Sequence, residues 1–226
     1  HRQGLSGARN SGVEHAGTEL VAFLDDDAVA DPAWLGTLAA LFADPAVVAA
    51  GGAVRPAWEG RRPGWFPDPF LWVVGCTHNG MPTSRAAVRN VVGASMVFRR
   101  SVLLELGGFT EEVGRVGTLP EGCEETEMCI RARQQVAGST VLFDPAAIVE
   151  HTVPPGRATL RYFFARCCSE GRSKAAGARL VGTTDGLSEE RRYTRENVAG
   201  IGRAAMVVAG LLTTAIGYAT GRLQRR

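Results

Sequence analysis

Short, continuous apolar runs alternate with amphipathic stretches through the first 155 residues. Residues 20–24, Leu-Val-Ala-Phe-Leu, contain no polar position, which predicts a strand buried on both faces of a parallel sheet. Residues 47–54 and 91–98 read as strands too, and residues 140–143 as a shorter one closed by an Asp144-Pro145 turn. Between these runs the period lengthens. Trp34, Leu35, Leu38, Leu41 and Phe42 recur at helical spacing behind Asp31-Pro32, an N-cap and first-turn pair, and Asp44-Pro45 ends that helix. Residues 5–17 predict a helix with Gly17 as its C-cap, and residues 101–106 a short helix stopped by Gly107-Gly108. Residues 121–136 predict a helix with an acidic first turn, as the helix dipole favours, behind a segment at 114–122 expected to be flexible. Strand, helix and strand in this order make a β-α-β unit, so the fold class is α/β.

Two stretches break the alternation. Residues 55–90 are rich in Pro, Gly, Arg and aromatics, including Trp58, Trp65, Phe66, Phe70 and Trp72. A loop that long inside a domain is usually functional, but the aromatics can also form a small core beneath it. From about Thr159 the chain reads as helical and basic, and residues 182–196 are polar. Residues 204–221 then run for 18 positions without a charge, between Arg203 and Arg222. A spanning helix needs about 20 residues. Val208, Leu211, Leu212, Ala215 and Ile216 also form a stripe, so spanning, interfacial and plain docking helices are all open.

Composition narrows the class. The 226 residues are 45% hydrophobic and 21% charged, enough for a buried core and unlike a disordered, collagenous or polytopic membrane protein. A net charge of +2, from 25 basic and 23 acidic residues, makes no electrostatic case for nucleic acid, which is not an expected partner. The small total hides a division: acidic residues gather at 25–27 and 124–127, while arginines dominate the C-terminal third. Arg161 to Arg179 either face anionic headgroups or form a solvated face. Five cysteines, two of them adjacent, match neither a zinc site nor a disulfide framework, which predicts reduced thiols in a cytosolic compartment. The opening His-Arg-Gln-Gly-Leu-Ser has no signal-peptide character and reads as the interior of a longer chain.

Three acidic or imidazole elements carry candidate chemistry. Asp25-Asp26-Asp27 follows a predicted strand, at the end where open α/β sheets bind ligands, and its oxygens suit Mg²⁺ or Mn²⁺. The alternative is a solvated turn. Glu124, Glu125 and Glu127 open a helix, and one can act as a general base if it reaches substrate; otherwise they only cap. His151, beyond the strand at 140–143 and the Asp144-Pro145 turn, either completes a metal shell or is structural.

In order and spacing these elements resemble family 2 inverting glycosyltransferases with the GT-A fold. Phe23-Leu24-Asp25-Asp26-Asp27, with Trp34-Leu35 beyond it, resembles that family's aspartate motif, and Ala8-Arg9-Asn10 the segment before it. Gly93-Ala94-Ser95-Met96-Val97-Phe98-Arg99-Arg100 is similar to the acceptor-side strand, and Gly107-Gly108-Phe109 to the Gly-Gly-Phe turn. Cys123-Glu124-Glu125-Thr126-Glu127-Met128-Cys129-Ile130-Arg131 resembles the Glu-Asp motif that supplies the base, and Asp144 to His151 the strand end that bears a histidine. The likeness covers residues 4–151 and lacks the family's first, base-binding strand and the β-α unit after it.

The resemblance implies a mixed sheet flanked by helices and sugar transfer from a nucleotide-diphosphate donor with Mg²⁺ or Mn²⁺. Asp25, Asp26, Arg9 and Asn10 would contact the donor, and Asp27 and His151 the metal. Glu125 would be the base, with Glu124 as the alternative, although the family usually places Asp at Glu125. One extra methylene moves that carboxylate by about 1.5 Å. Trp65, Trp72, Ser95 and Arg131 would mark the acceptor side, toward a glycan or lipid-linked acceptor. The expected organisation is a partial GT-A domain at 1–155, a basic helical extension at 156–200 and an apolar helix at 201–226, on the cytoplasmic side of the plasma membrane. Two other classes stand beside it: a non-catalytic sugar-nucleotide-binding scaffold, and a metal-dependent phosphohydrolase that leaves the Glu124-Glu125 helix unexplained.

Overall fold

The apolar runs build one mixed sheet. The computed structural model describes residues 4–111, 122–182 and 201–223. In chain order its elements are α1 (Gly4–His15), β1 (Leu20–Leu24), β2 (Ala28–Ala30), α2 (Trp34–Ala40), β3 (Val47–Trp58), β4 (Ala86–Ala87), β5 (Ser95–Arg99), α3 (Arg100–Glu105), α4 (Glu124–Gln135), β6 (Thr140–Val153), α5 (Leu160–Val181) and α6 (Ile201–Leu223). The strands lie in the order β1-β5-β3-β6-β2, with β4 against the first half of β6. β3 and β6 are parallel, while β5 runs antiparallel to both its neighbours, β1 and β3. The two strands of the predicted β-α-β unit therefore point the same way with a third strand inserted between them.

Position in the sheet decides burial. β3 has a neighbour on each side and helices on both faces, and its first eight residues are buried. β1 was expected to be equally buried, but among the described residues only β5 flanks it, so Ala22 is exposed and Leu24 is 42% exposed. β6 does not turn at Asp144-Pro145. It continues through a bulge, where the register jumps from Gly52↔Asp144 to Ala53↔Ile148. Gly52 makes room for the bulge: a Cβ there would lie 2.0 Å from the Ala147 carbonyl oxygen. Sequence alone shows neither half of this fit.

Alternate residues of the strands feed opposite faces. Val48, Met96 and Phe98 meet Val13, Leu103, Phe109 and Met128 from α1, α3, the following turn and α4. Val47, Val97 and Val149 meet Trp34, Leu38, Leu41 and Phe42 from α2 and its last turn. Each fully buried phenylalanine contributes about 1.5–3 kcal/mol of transfer free energy. Leu35, assigned to the same stripe, faces solvent at 51% exposure because α2 spans only seven residues and one face. Asp31 leads into that helix by accepting from the Ala33 amide at 2.8 Å. Helix α1 ends at His15, and Gly17 does not adopt the left-handed backbone of a C-cap. Residues 91–94 precede β5 without joining it.

A third core gathers the aromatic loop. Trp58, Phe66 and Phe163 stack edge-on in series, with centroids 5.4 and 5.6 Å apart, and Phe70, Cys167 and Val207 complete the cluster. The loop is therefore packed against α5 and α6. α5 is opened by Thr159, whose hydroxyl accepts from the Tyr162 amide, and closed by left-handed Gly182. The segment 202–223 of α6 is long and apolar enough to cross a membrane by length and composition, with a mean hydropathy of 1.5. Most of the expected flexible segment at 114–122, and the polar stretch beyond Gly182, fall outside the described residues.

Candidate active site

Strand pairing brings the acidic cluster to its histidine. Asp25-Asp26-Asp27 leave β1 at its carboxyl end and turn into β2, with the Ala28 amide donating to the Asp25 carbonyl. β2 pairs with the far half of β6 in a register that sets Ala28 opposite His151. The Thr152 amide then donates to the Asp27 carbonyl at 2.9 Å, and Asp27 Oδ1 lies 3.0 Å from His151 Nε2. Arg157, just beyond β6, reaches the other Asp27 oxygen at 3.3 Å.

Ligand atoms of Asp25, Asp27 and His151 all lie within 4.8 Å of one another. His151 is buried at 3% exposure, and its Nδ1 has no hydrogen-bond partner. Both carboxylates remain about one-third exposed at the cavity. Two carboxylate oxygens and one imidazole nitrogen form a donor set that fits a hard divalent cation.

The facing wall is the start of α4. Cys123, the one non-glycine residue with positive φ among those described, turns the chain sharply into the helix at φ 79°. Glu124 points inward, where Arg9 Nη1 donates to it at 2.7 Å and both groups are buried. Arg9 Nη2 also reaches the Gly93 carbonyl at 3.4 Å and lies 3.6 Å from Asp25, so one arginine links the aspartate cluster to α4. Glu125, next along, sits half-buried on the cavity wall. Burial and the adjacent Glu124 carboxylate push its pKa up to about 8, against the pull of Arg9. The two glutamates are thus separated: Glu124 is spent on Arg9, and Glu125 keeps its proton up to about 8.

These groups share one cavity of about 1140 Å³, lined also by Asp26 and Trp72. Four other predicted site residues are not among those that line it. Ser95 is fully buried, accepting from Trp34 Nε1 at 2.9 Å and from the Gly52 amide at 3.2 Å. Trp65 packs on Phe66 and Phe163. Arg131 binds Glu127 and the carbonyls of Leu106 and Gly108, tying α4 to the Gly-Gly turn. Asn10 brackets Phe109, donating to its carbonyl at 2.9 Å and accepting from its amide at 2.7 Å. Asn10→Ala orphans both buried backbone groups, so it should lower unfolding free energy by about 2–3 kcal/mol in a denaturant titration.

A further wall was not foreseen. Tyr162, Arg166, Glu170 and Lys174 line the cavity from α5 at intervals of one helical turn. Burial alone would raise Glu170, but Arg166 at 2.8 Å and Lys174 at 3.7 Å outweigh it and hold the carboxylate at about 2. The Cys123 thiol, itself pushed up by burial, donates to Glu170 at 3.3 Å. The i, i+4 spacing of Arg166, Glu170 and Lys174 was the available signal. None of the five cysteines forms a disulfide, and burial raises Cys76 and Cys129 to about 12.

Residues 1–107 match the glycosyl transferase family 2 profile. A glucosyl-dolichyl phosphate glucuronosyltransferase of Haloferax volcanii is 36% identical over 173 residues, which are 76% of this chain and 55% of that protein. A pre-mycofactocin glycosyltransferase of Mycobacterium tuberculosis is 30% identical over 77% of this chain and 35% of its own length. The chain thus spans about half, or less, of the curated relatives it matches. Among solved structures, a mannosyltransferase from Pyrobaculum calidifontis in complex with GDP-Man and Mn²⁺ superposes with a TM-score of 0.52 at 18% identity, over 100% of this chain and 56% of that one.

Proposed function

The chain belongs to glycosyl transferase family 2, with a GT-A fold, and from that membership we propose that it moves a sugar from a nucleotide-diphosphate donor to an acceptor hydroxyl, with inversion. The observation that carries this reading is one cavity holding both the Asp25–Asp27–His151 cluster and a raised, half-buried Glu125.

Asp25, Asp27 and His151 would hold Mn²⁺ or Mg²⁺, which supplies Lewis-acid charge for a diphosphate leaving group. Arg157, 3.3 Å from Asp27, would add fixed positive charge for a diphosphate bound there. Asp26 would contact the donor's ribose. Glu125 takes the acceptor hydroxyl's proton; the acceptor oxygen bonds to the anomeric carbon as the sugar–phosphate bond breaks and its electron pair leaves with the diphosphate. One displacement inverts the centre. Glu124 and Arg9 position Glu125 rather than reacting.

The Haloferax relative is named for a dolichyl-phosphate-linked acceptor, and this chain is read likewise as acting on a lipid-linked or glycan acceptor at the cytoplasmic face of a membrane. Arg166 and Lys174 outnumber Glu170 on the α5 wall, which suits a phosphate-bearing acceptor. Residues 1–155 would be the transferase unit, with 156–200 and 201–226 as its basic and apolar extensions. Trp72, on the cavity, is the remaining candidate to stack on an acceptor sugar.

The test is a thermal-shift panel of nucleotide sugars on the purified protein with and without Mn²⁺. The true donor at a hundred times its dissociation constant stabilises by about 2.7 kcal/mol, and most of that shift should require the metal. A panel in which no nucleotide sugar raises Tm with Mn²⁺ present overturns the reading.

A further inference from the structure

We propose that α6 lies in the plane of an anionic membrane surface, its outer face in lipid and its inner face on the protein body, rather than crossing the bilayer. The inference stands on packing and charge and needs nothing of the transfer reaction.

α6 is fixed to the protein along its whole length. Near its start, Arg203 donates to the Gly64 carbonyl at 3.1 Å; near its end, the Gly221 carbonyl accepts from Arg179 at 2.7 Å. Between these ties the backbones come too close for a side chain. A Cβ on Gly171 would lie 2.1 Å from the Thr214 carbonyl oxygen, and one on Gly217 2.1 Å from that of Cys168. One on Gly210 would strike the Phe70 ring. The helix beneath, α5, carries Arg166, Glu170 and Lys174 on the cavity side, so it cannot accompany α6 into hydrocarbon. A spanning α6 would have to give up every one of these contacts.

The outer face is apolar. Val208, Leu212, Ile216 and Leu223 are 57, 60, 62 and 81% exposed, at spacings that keep them on one side of the helix. They make up four of the ten large hydrophobic side chains exposed on the described surface. The surroundings select the partner. Arg166 and Lys174 turn to the cavity, but Arg161, Arg179 and Arg222 of α5 and α6 are exposed, and neither helix exposes an acidic side chain. A cationic helical pair around an apolar stripe complements anionic lipid headgroups over an acyl layer, and its charge disfavours the same pair of helices from a second copy.

The experiment is liposome flotation of the purified chain. It should float with vesicles of phosphatidylcholine and phosphatidylglycerol, bind phosphatidylcholine alone more weakly, and lose binding in 0.5 M salt. Sodium carbonate should release it from membranes. Changing Val208, Leu212 and Ile216 together to Glu should cut binding at least about tenfold. The same three changed to Ser should weaken it without adding charge, with Tm checked for both variants. Failure to float, retention through carbonate, or undiminished binding of the folded triple variants overturns the proposal, as does a dimer that the variants dissociate in place of lipid binding. None of these readouts uses transfer, so their failure is distinct from failure of the enzymatic assignment.

Discussion

Asp27→Asn should lower kcat/KM for sugar transfer by roughly 10³-fold, the loss of several kcal/mol of charge stabilisation, while the Tm of the ligand-free protein should barely move. The asymmetry follows from where Asp27 sits. Its carboxylate is about one-third exposed and bridges His151 and Arg157. A bridge that open contributes little to folding, and asparagine keeps the shape of the side chain. For a divalent cation the same carboxylate supplies one of three donors held within 4.8 Å. Asp25 and His151 remain in the variant, so raising Mn²⁺ should recover part of the rate. Asp26→Asn, outside that cluster, should lose less and show no metal rescue. Steady-state rates over a Mn²⁺ titration, with melting curves for each variant, check all three points. Equal losses for Asp26 and Asp27 variants would remove the distinction between donor contact and metal ligand.

The acidic half of this site is legible in the sequence because its signals are local. An apolar run ending in Asp25-Asp26-Asp27, and a helix opening on Glu124-Glu125, need no knowledge of distant partners. The rest depends on contacts that sequence spacing does not encode. His151 meets Asp27 through the pairing of β2, a three-residue strand too short to show any period. Asn10 and Arg9 are adjacent in one motif, yet helical rotation sends Arg9 to the cavity and Asn10 to the Phe109 backbone. Ser95 opens β5, but its hydroxyl is spent on Trp34 and the Gly52 amide. Trp65 and Trp72 belong to one aromatic loop, and only the fold of that loop decides that Trp72 lines the cavity while Trp65 packs on Phe163. Apolar periodicity similarly marks β3 correctly, yet hides the bulge that carries β6 past Asp144-Pro145, because the bulge exists only where Gly52 receives it.

The choice between the two glutamates was open for the same reason. Glu124 and Glu125 sit in one helical turn, and what separates them is Arg9 on α1, far away in sequence. Glu125→Gln should lower kcat by 10²–10⁴-fold, the usual range for a lost general base, with donor affinity little changed. Its pH behaviour gives the sharper test. A base works only when ionised, so wild-type kcat should rise with pH through an inflection near the raised pKa of about 8, and the variant should lack that limb. Stability should run the opposite way. The folded protein keeps the Glu125 proton up to about 8, whereas the unfolded chain gives its proton up near 4.5. Between those values the folded state binds more protons, so this group's contribution falls as pH rises. Glu125→Gln removes that loss, and it should melt above wild type at pH 9 and level with it at pH 4. Glu124→Gln breaks the buried pair with Arg9 and should lower Tm. Having removed a neighbouring negative charge, it should also move the kcat inflection below 8 without erasing it. If Glu124→Gln instead erases the limb while Glu125→Gln keeps it, the base is Glu124, and the Arg9 pair must open during turnover.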